Sequence, residues 1–533
     1  MFQCPNCGGN ARFDVASQQL ACDYCGTKID PYSYESKTSD AQESNDPENY
    51  EVTVFTCPQC GGEILSTDDA AAGFCSFCGA STVLYSRISN EHRPNFIIPF
   101  QKTKEDCKQA YSAMMKKAIF APKEFKDPQK IDSFRGIYMP YWAFYETQKG
   151  HFAIKGKKSH RRGDYIITDH YDLTGELDSY YKGLSYDASS SFADNISEAI
   201  APYDVKGMKA FTPAFLSGFY ADTANVGAEV YQSDAERLAR DEVIAKLKEE
   251  REFRGFYLDD SSFQQIRSKT EAVDQAMFPV WFMSYRNGDR VAYATVNGQT
   301  GKAVADLPVD IRKFIGGSLL LAIPVFILLN LFLTLKPSTL LGWIGVLAVA
   351  AMIISSSMIR KIAAAENGED DKGVLARINQ EKLNEVNRKN AIRISNKKKK
   401  KSWDGVMTMI CTITIIGIVV LGLASELEGF FGAGLIWLGA LVTAGICFAV
   451  TKKQLESVPH KMGKRGMLAM LCGLVFGTVV TVFKPVSDLY YYGAAILLIA
   501  TIIFMEKELI EQYNLMATRK LPQFDKQGGD DRA

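Results

Sequence analysis

Eight cysteines fall into four Cys-x2-Cys pairs, and the pairs form two like sets: Cys4, Cys7, Cys22 and Cys25, then Cys57, Cys60, Cys75 and Cys78. Both sets read Cys-x2-Cys-x14-Cys-x2-Cys, and "CPNCGG" at the head of the first returns as "CPQCGG" at the head of the second. Two residues between cysteines let the chain fold back as a knuckle that aims both sulfurs at one ion. Gly8, Gly26, Gly61 and Gly79 follow the second cysteine of each knuckle. Glycine there tolerates a positive φ and lets backbone N–H groups approach the sulfurs. Four thiolates in tetrahedral array suit a structural zinc ion and leave no position open for water or substrate. Each set is too short to bury a core of its own, so a metal worth on the order of 10–16 kcal/mol would supply most of its folding free energy. Redox-active pairs of the thioredoxin type need a βαβ setting that this stretch lacks. Iron in the same cage is the alternative metal. The expectation is two structural zinc ions.

The elements that must hold these knuckles are short. "ARFDV" suits a strand in a small hairpin, so residues 1–34 and 51–90 read as two zinc ribbons, with the polar stretch 35–50 a flexible linker between them. The first ribbon has only Arg12 and Lys28 as basic residues, against Asp14, Asp23 and Asp30; residues 57–80 have none, against Glu63, Asp68 and Asp69. A phosphate-binding surface needs clustered Lys and Arg. Protein docking is therefore favoured over nucleic acid as the ribbons' use.

The 533-residue chain has zero formal net charge, an average over two unlike halves. Beyond about residue 313 it alternates long apolar runs with short charged loops. Six runs match the ~20 residues that cross a bilayer: 314–335, 339–359, 406–424, 430–450, 466–483 and 486–505. The loop 360–404 holds thirteen Lys/Arg and the loop 451–465 five, whereas the alternate loops carry one or none. The positive-inside rule then places every basic loop, both termini and residues 1–310 in the cytoplasm of a cell-membrane protein. No basic stretch followed by an apolar run opens the chain, so no secretory leader is expected. Thiols on that side stay reduced, which favours metal thiolates over disulfides. Cys107, Cys411, Cys447 and Cys472 read as small hydrophobic residues. Among the runs Asn330 is the one conspicuous polar side chain, which argues against an ion-coupled transporter. Lys397, Lys398, Lys399, Lys400 and Lys401 abut the third run and are candidates for anionic lipid, at about 1 kcal/mol each, with a plain topological anchor as the alternative.

Residues 91–310 read as an α+β domain. Thr103 and Asp106 suggest a capping box, and Ser233 and Glu236 suggest a second one opening a long charged helix. "GIYMPYWAFYETQ" and "HFAIKG" read as strands, and Asn287-Gly288 as a hairpin turn followed by a turn at Asn297-Gly298. "IPF" (98–100), "FAPKEF" (120–125), "GIYMPYW" (136–142), "PVW" (279–281) and "VNGQTGK" (296–302) behind the paired CPxCG ribbons resemble a family of bacterial TFIIB-type double zinc-ribbon membrane proteins. Members are often labelled primosomal helicase-like. The resemblance covers about residues 1–310 and implies an adaptor that works beside phage-shock or SPFH-type membrane-stress proteins. The six-span tail departs from the shorter tails of that family.

Catalytic motifs are lacking: no Walker sequence, GxSxG, HExxH or dinucleotide fingerprint occurs. His151, His160 and His170 read as surface hairpin residues rather than a metal triad. The basic run 155–162 reads as a solvated loop tip, with lipid or RNA as its alternatives. The whole chain is thus expected to be multidomain: two Cys4 zinc ribbons, a cytoplasmic α+β domain, helices one and two at 311–360, a basic loop at 361–404, helices three to six at 405–506, and a tail at 507–533. The expected function is a non-enzymatic, multi-pass adaptor that docks proteins. A membrane-tethered nucleic-acid binder and a lipid- or solute-handling protein regulated by its ribbons are the alternatives.

Overall fold

The computed structural model describes residues 2–33, 49–66, 75–79, 85–288, 290–332, 336–367, 371–378, 430–456, 458 and 463–520. Residues 35–48 of the expected linker, the third apolar run and Lys397 to Lys401 lie outside them, while residues 49 and 50 already belong to a strand.

The amino-terminal sheet has three antiparallel strands, β1 (Ala11–Asp14), β2 (Gln19–Cys22) and β3 (Lys28–Ile29). Every later strand belongs to one 13-stranded sheet. Its members are β4 (Asn49–Thr56), β5 (Glu63–Ser66), β6 (Tyr85–His92), β7 (Phe96–Ile97), β8 (Arg135–Arg162), β9 (Tyr165–Asp187), β10 (Lys209–Ala210), β11 (Tyr220–Ala221), β12 (Tyr257–Leu258), β13 (Lys269–Asn287), β14 (Arg290–Asn297), β15 (Ala303–Ala305) and β16 (Arg519–Lys520). The main path runs β10-β7-β13-β8-β11-β5-β4-β6. At its centre β8 and β13 pair antiparallel from Arg135–Phe282 to Thr147–Lys269. Their apolar residues are continuous rather than alternating because the sheet is covered on both sides. Ile137, Met139, Phe278, Val280 and Phe282 face α2 (Asp194–Ile200). Tyr138, Met277, Trp281 and Met283 face α1 (Lys104–Lys117) and the first ribbon.

Thr103 and Asp106 form the expected capping box, Thr103 Oγ1 accepting from the Asp106 amide at 3.2 Å and Asp106 Oδ2 from the Thr103 amide at 2.9 Å. The expected start at Ser233 is corrected. Helix α3 spans Glu229–Glu249 and begins a turn earlier, because Val230 and Tyr231 are buried against Phe144 and hold that turn in helical form. The two strands expected within 136–156 are one strand: β8 has 28 residues and, paired with the 23 of β9, forms a hairpin that outruns the body. At about 3.3 Å per residue, β8 reaches up to about 90 Å.

The carboxyl-terminal region is helical: α4 (Ile311–Phe332), α5 (Pro337–Glu366), α6 (Lys372–Ile378), α7 (Phe430–Glu456), α8 (Arg465–Phe483) and α9 (Asp488–Met516). Three helices among the described residues are long and apolar enough to cross a membrane: Ile311–Leu328, Pro337–Glu366 and Arg465–Phe483. The expected six spans are therefore corrected to three candidates. The sixth run lies on α9, which opens with Asp488 and Tyr490 to Tyr492 and closes with Glu506, Lys507, Glu508 and Glu511. Charged residues at both ends confine its uncharged part to 489–505. The fourth run is helical within α7, whose side chains are described from Trp437 onward.

Helices α5, α7, α8 and α9 share one core. Trp437 sits against Gly345 and Gly477, where an added Cβ would come within 2.8 and 2.7 Å of its ring; small residues let helix backbones close up in this way. Ser356 and Thr451 hydrogen-bond across α5 and α7 at 3.0 Å. The bundle is clamped to the sheet. Strand β16, just beyond α9, pairs with β14, and Asn514 exchanges hydrogen bonds with the Val309 backbone at 2.7 and 2.9 Å. Arg290 meets Glu366 at 2.7 Å with both side chains under 10 % exposed, and it also donates to Thr518 and to the Leu515 carbonyl. Deleting one partner of such a pair strands the other charge, at about 3–5 kcal/mol. Arg290→Ala should therefore lower stability by that order in thermal unfolding of the detergent-solubilised chain. The Arg290→Met/Glu366→Leu double variant should regain most of the loss.

Candidate metal centres

Both cysteine sets converge. In each, the four sulfurs lie within 4.8 Å of one another. In the first, Cys4 to Cys25 is 3.6 Å and Cys7 to Cys22 is 3.4 Å. In the second, Cys57 to Cys78 is 3.7 Å and Cys60 to Cys75 is 3.8 Å. A disulfide would need about 2.05 Å. A tetrahedral ion with metal–sulfur bonds of about 2.3 Å sets its sulfurs about 3.8 Å apart. The donor set therefore fits a four-coordinate thiophilic ion in both places.

The knuckles are built alike. The Gly8, Gly26, Gly61 and Gly79 amides donate to the carbonyls of Cys4, Cys22, Cys57 and Cys75 at 2.8 to 3.0 Å. All four glycines take φ between +68° and +74°, where a side chain would be strained. Some donors reach the sulfurs themselves: the Gly62 amide lies 3.4 Å from Cys60 Sγ, and the Thr27 hydroxyl lies 3.0 Å from Cys25 Sγ. The Thr27 hydroxyl, followed by its amide, lowers the Cys25 thiol to about 6, which favours the thiolate a metal takes up.

Their settings differ. The first ribbon leans on the body through one side: Phe13 packs edge-on against Phe215 at 5.2 Å, Ser217 Oγ donates to the Ala11 carbonyl at 2.7 Å, and Gln18 reaches the Phe100 carbonyl at 2.7 Å. Cys4 and Cys22 face that side and are buried, while Cys7 and Cys25 are exposed. The second set is part of the sheet. Its strand β5 pairs with β4 and β11, Tyr293 donates to the Phe77 carbonyl at 2.9 Å, and Arg286 donates to Gln59 at 2.6 Å. All four of its cysteines are buried among Phe55, Ile64 and Phe77.

The histidines are not brought together. His151 meets Glu176 at 3.2 Å and His160 lies 3.6 Å from Asp169, strung along the hairpin, while His170 stands opposite Lys157.

One polar site escaped sequence reasoning. A cavity of about 650 Å³ opens where β4 and β6 face the body, lined in part by Tyr50, Trp142, Asp222, Asn225 and Gln275. Asp222 Oδ2 accepts from the hydroxyls of Ser189, at 2.5 Å, and Ser191. Burial pushes its carboxyl up to about 6, against the pull of those hydroxyls. The serine run "ASSS" (188–191) was the only trace of it in the sequence.

Taken together, the fold is a sheet-rich α+β body that carries two Cys4 clusters fit for metal and is joined to helices able to cross a membrane. Among curated proteins the chain is similar to an "uncharacterized protein YdjG" of Bacillus subtilis (strain 168), 28 % identical over 319 residues, which are 58 % of this chain and 91 % of that protein. No protein-family model and no solved structure matches the chain.

Metal analysis of the purified chain should return two ions per molecule. Cys57→Ser should lose one ion and destabilise the whole sheet. Cys7→Ser should also lose one ion but leave the body's thermal midpoint within a few degrees, the scale of about 1 kcal/mol. Equal effects on the midpoint would refute the difference in setting. Asp222 supplies a pH test. Its carboxyl binds a proton more tightly folded than unfolded, so this group's contribution is full below about pH 4 and is lost as pH rises to about 6, worth up to about 3 kcal/mol. Asp222→Asn should flatten the fall in stability across that window, as followed by denaturant titration.

Proposed function

We propose that the chain is a non-enzymatic membrane adaptor whose zinc-stapled α+β body holds a docking hairpin away from the bilayer. The observation that carries this reading is the β8–β9 hairpin. Its tip exposes Tyr165 at 78 % and Ile166 at 75 %, with Tyr171 and Tyr180 exposed further along. Among the described residues the outer edge of β9 pairs with no strand. Exposed aromatic and aliphatic side chains beside arginines suit a protein partner, and a free edge suits a partner strand. The antiparallel register puts the tip at the end of the sheet opposite the Asn287–Arg290 turn, where the body meets the helices. The closed Cys4 cages, with no coordination position left for substrate, support a structural rather than catalytic role for zinc.

In this reading the body and both termini are cytoplasmic, in keeping with the basic loops at 360–404 and 451–465. The helices give a multi-pass anchor, and Lys397 to Lys401 lie at the lipid surface. The chain would be a double zinc-ribbon protein of the bacterial TFIIB-type group, with membrane-stress or SPFH-type proteins as partners. The ribbons brace the body, and the hairpin takes the docking role expected of them.

Crosslinking in intact membranes tests it. Wild-type chain should give discrete protein adducts, and Tyr165→Ser/Ile166→Ser should lose them several-fold with metal content unchanged. Equal adducts from both chains would sink the hairpin reading. Salt-sensitive RNA or DNA binding by the chain, with no protein adducts, would replace it with the nucleic-acid reading.

A further inference from the structure

We propose that the first Cys4 cluster is a peroxide-reactive site, oxidised at Cys7 and Cys25, while the second is shielded from the same oxidant. The inference rests on the reading that both clusters hold zinc.

The two clusters share ligands, spacing and turn geometry, and none of these separates them. Access does. In the second set Cys57, Cys60, Cys75 and Cys78 are between 0 % and 3 % exposed and lie within the packed sheet. In the first, Cys7 and Cys25 are exposed, beside Tyr24, which is itself 81 % exposed. An oxidant must approach a sulfur directly, and oxidation of thiolates follows their accessibility. The exposed pair is also close enough to react together, since all four sulfurs of the cluster fall within 4.8 Å.

The chemistry balances with hydrogen peroxide as the oxidant. The Cys7 thiolate attacks one peroxide oxygen: a sulfur–oxygen bond forms, the oxygen–oxygen bond breaks, and hydroxide leaves. The Cys25 thiolate then attacks the sulfenyl sulfur of Cys7: a sulfur–sulfur bond forms, and a second hydroxide leaves. Two thiolates lose two electrons, peroxide gains them, and two protons convert the hydroxides to water. Cys4 and Cys22 alone then remain to hold an ion, too few for a closed cage. Ala11, Phe13 and Leu20 rest on the body through this ribbon, so release of the ion would loosen that contact while the sheet stays stapled by the second cluster.

The full-length chain in detergent, loaded with zinc, decides it. Peroxide should release one of two zinc ions to a chromogenic chelator, with the second at least about tenfold slower, as expected for site-selective oxidation. Peptide mapping should find a Cys7–Cys25 disulfide, and reductant with added zinc should restore the count. Release of both ions at one rate, release of neither, or a disulfide within the second set would each overturn the inference while leaving the metal reading intact. A starting count below two would sink the metal reading and the inference with it.

Discussion

The antiparallel pairing of β8 with β13 sets the position of everything else. Thirteen residues of each strand are matched across a ladder whose middle is buried on both faces. It carries several of the largest fully buried side chains of the body, among them Tyr138, Tyr141, Phe144, Phe278 and Phe282. Burying each such side chain is worth roughly 1.5–3 kcal/mol, so the pair is costly to slip. A shift by one residue would move every side chain to the other face. One end of the ladder runs into the β13–β14 turn and the Arg290 clamp on the helices. At the other, β8 leaves the sheet and becomes the hairpin. The helix bundle and the hairpin are thereby placed at opposite ends of one ladder.

Two copies of one short motif meet this frame differently. Each knuckle closes by the same amide-to-carbonyl bond and the same positive-φ glycine, because those features depend only on neighbouring residues. The strands next to each set decide its placement. In the second, β5 has partners on both sides and the sulfurs become core. In the first, β1 to β3 close on themselves, and the ribbon meets the body through side chains such as Ala11, Phe13, Leu20, Gln18 and Tyr32. Sequence identity at the ligands therefore does not imply equal exposure or equal duty.

That contrast also marks what the sequence made legible. Features fixed within a few residues were readable: the knuckles, the Thr103–Asp106 box, the Asn287-Gly288 hairpin, and the Asn297 turn, whose side chain accepts from the Gln299 and Thr300 amides at 2.9 Å. Features fixed by distant partners were not. Ser233 looks like a helix start until Val230 and Tyr231 find Phe144. Arg290 looks like a turn cation until Glu366 and the carbonyls near residue 518 enclose it. Apolar length alone marks six runs, of which three among the described residues have the length and composition of a span.

The hairpin remains to be reconciled with stability, because a two-stranded ribbon is marginal in water. Its base is covered: Phe152 and Ile154 are buried against Val243, Phe263 and Ile266. Exposed cross-strand pairs run along the ribbon as well, with Lys149 near Asp178 and His151 near Glu176 beside that base and His160 near Asp169 further out. Exposed pairs of this kind contribute only 0 to about 1 kcal/mol each, too little to order a long ribbon for its own sake. The body gains nothing from Tyr165 and Ile166, which touch none of its buried clusters. An apolar tip held out on a weakly stabilised ribbon gains its energy only when something covers it, and covering the tip would also order the strands behind it. In the adaptor reading, this coupling makes the hairpin, rather than either Cys4 cluster, the part of the body whose stability depends on a partner.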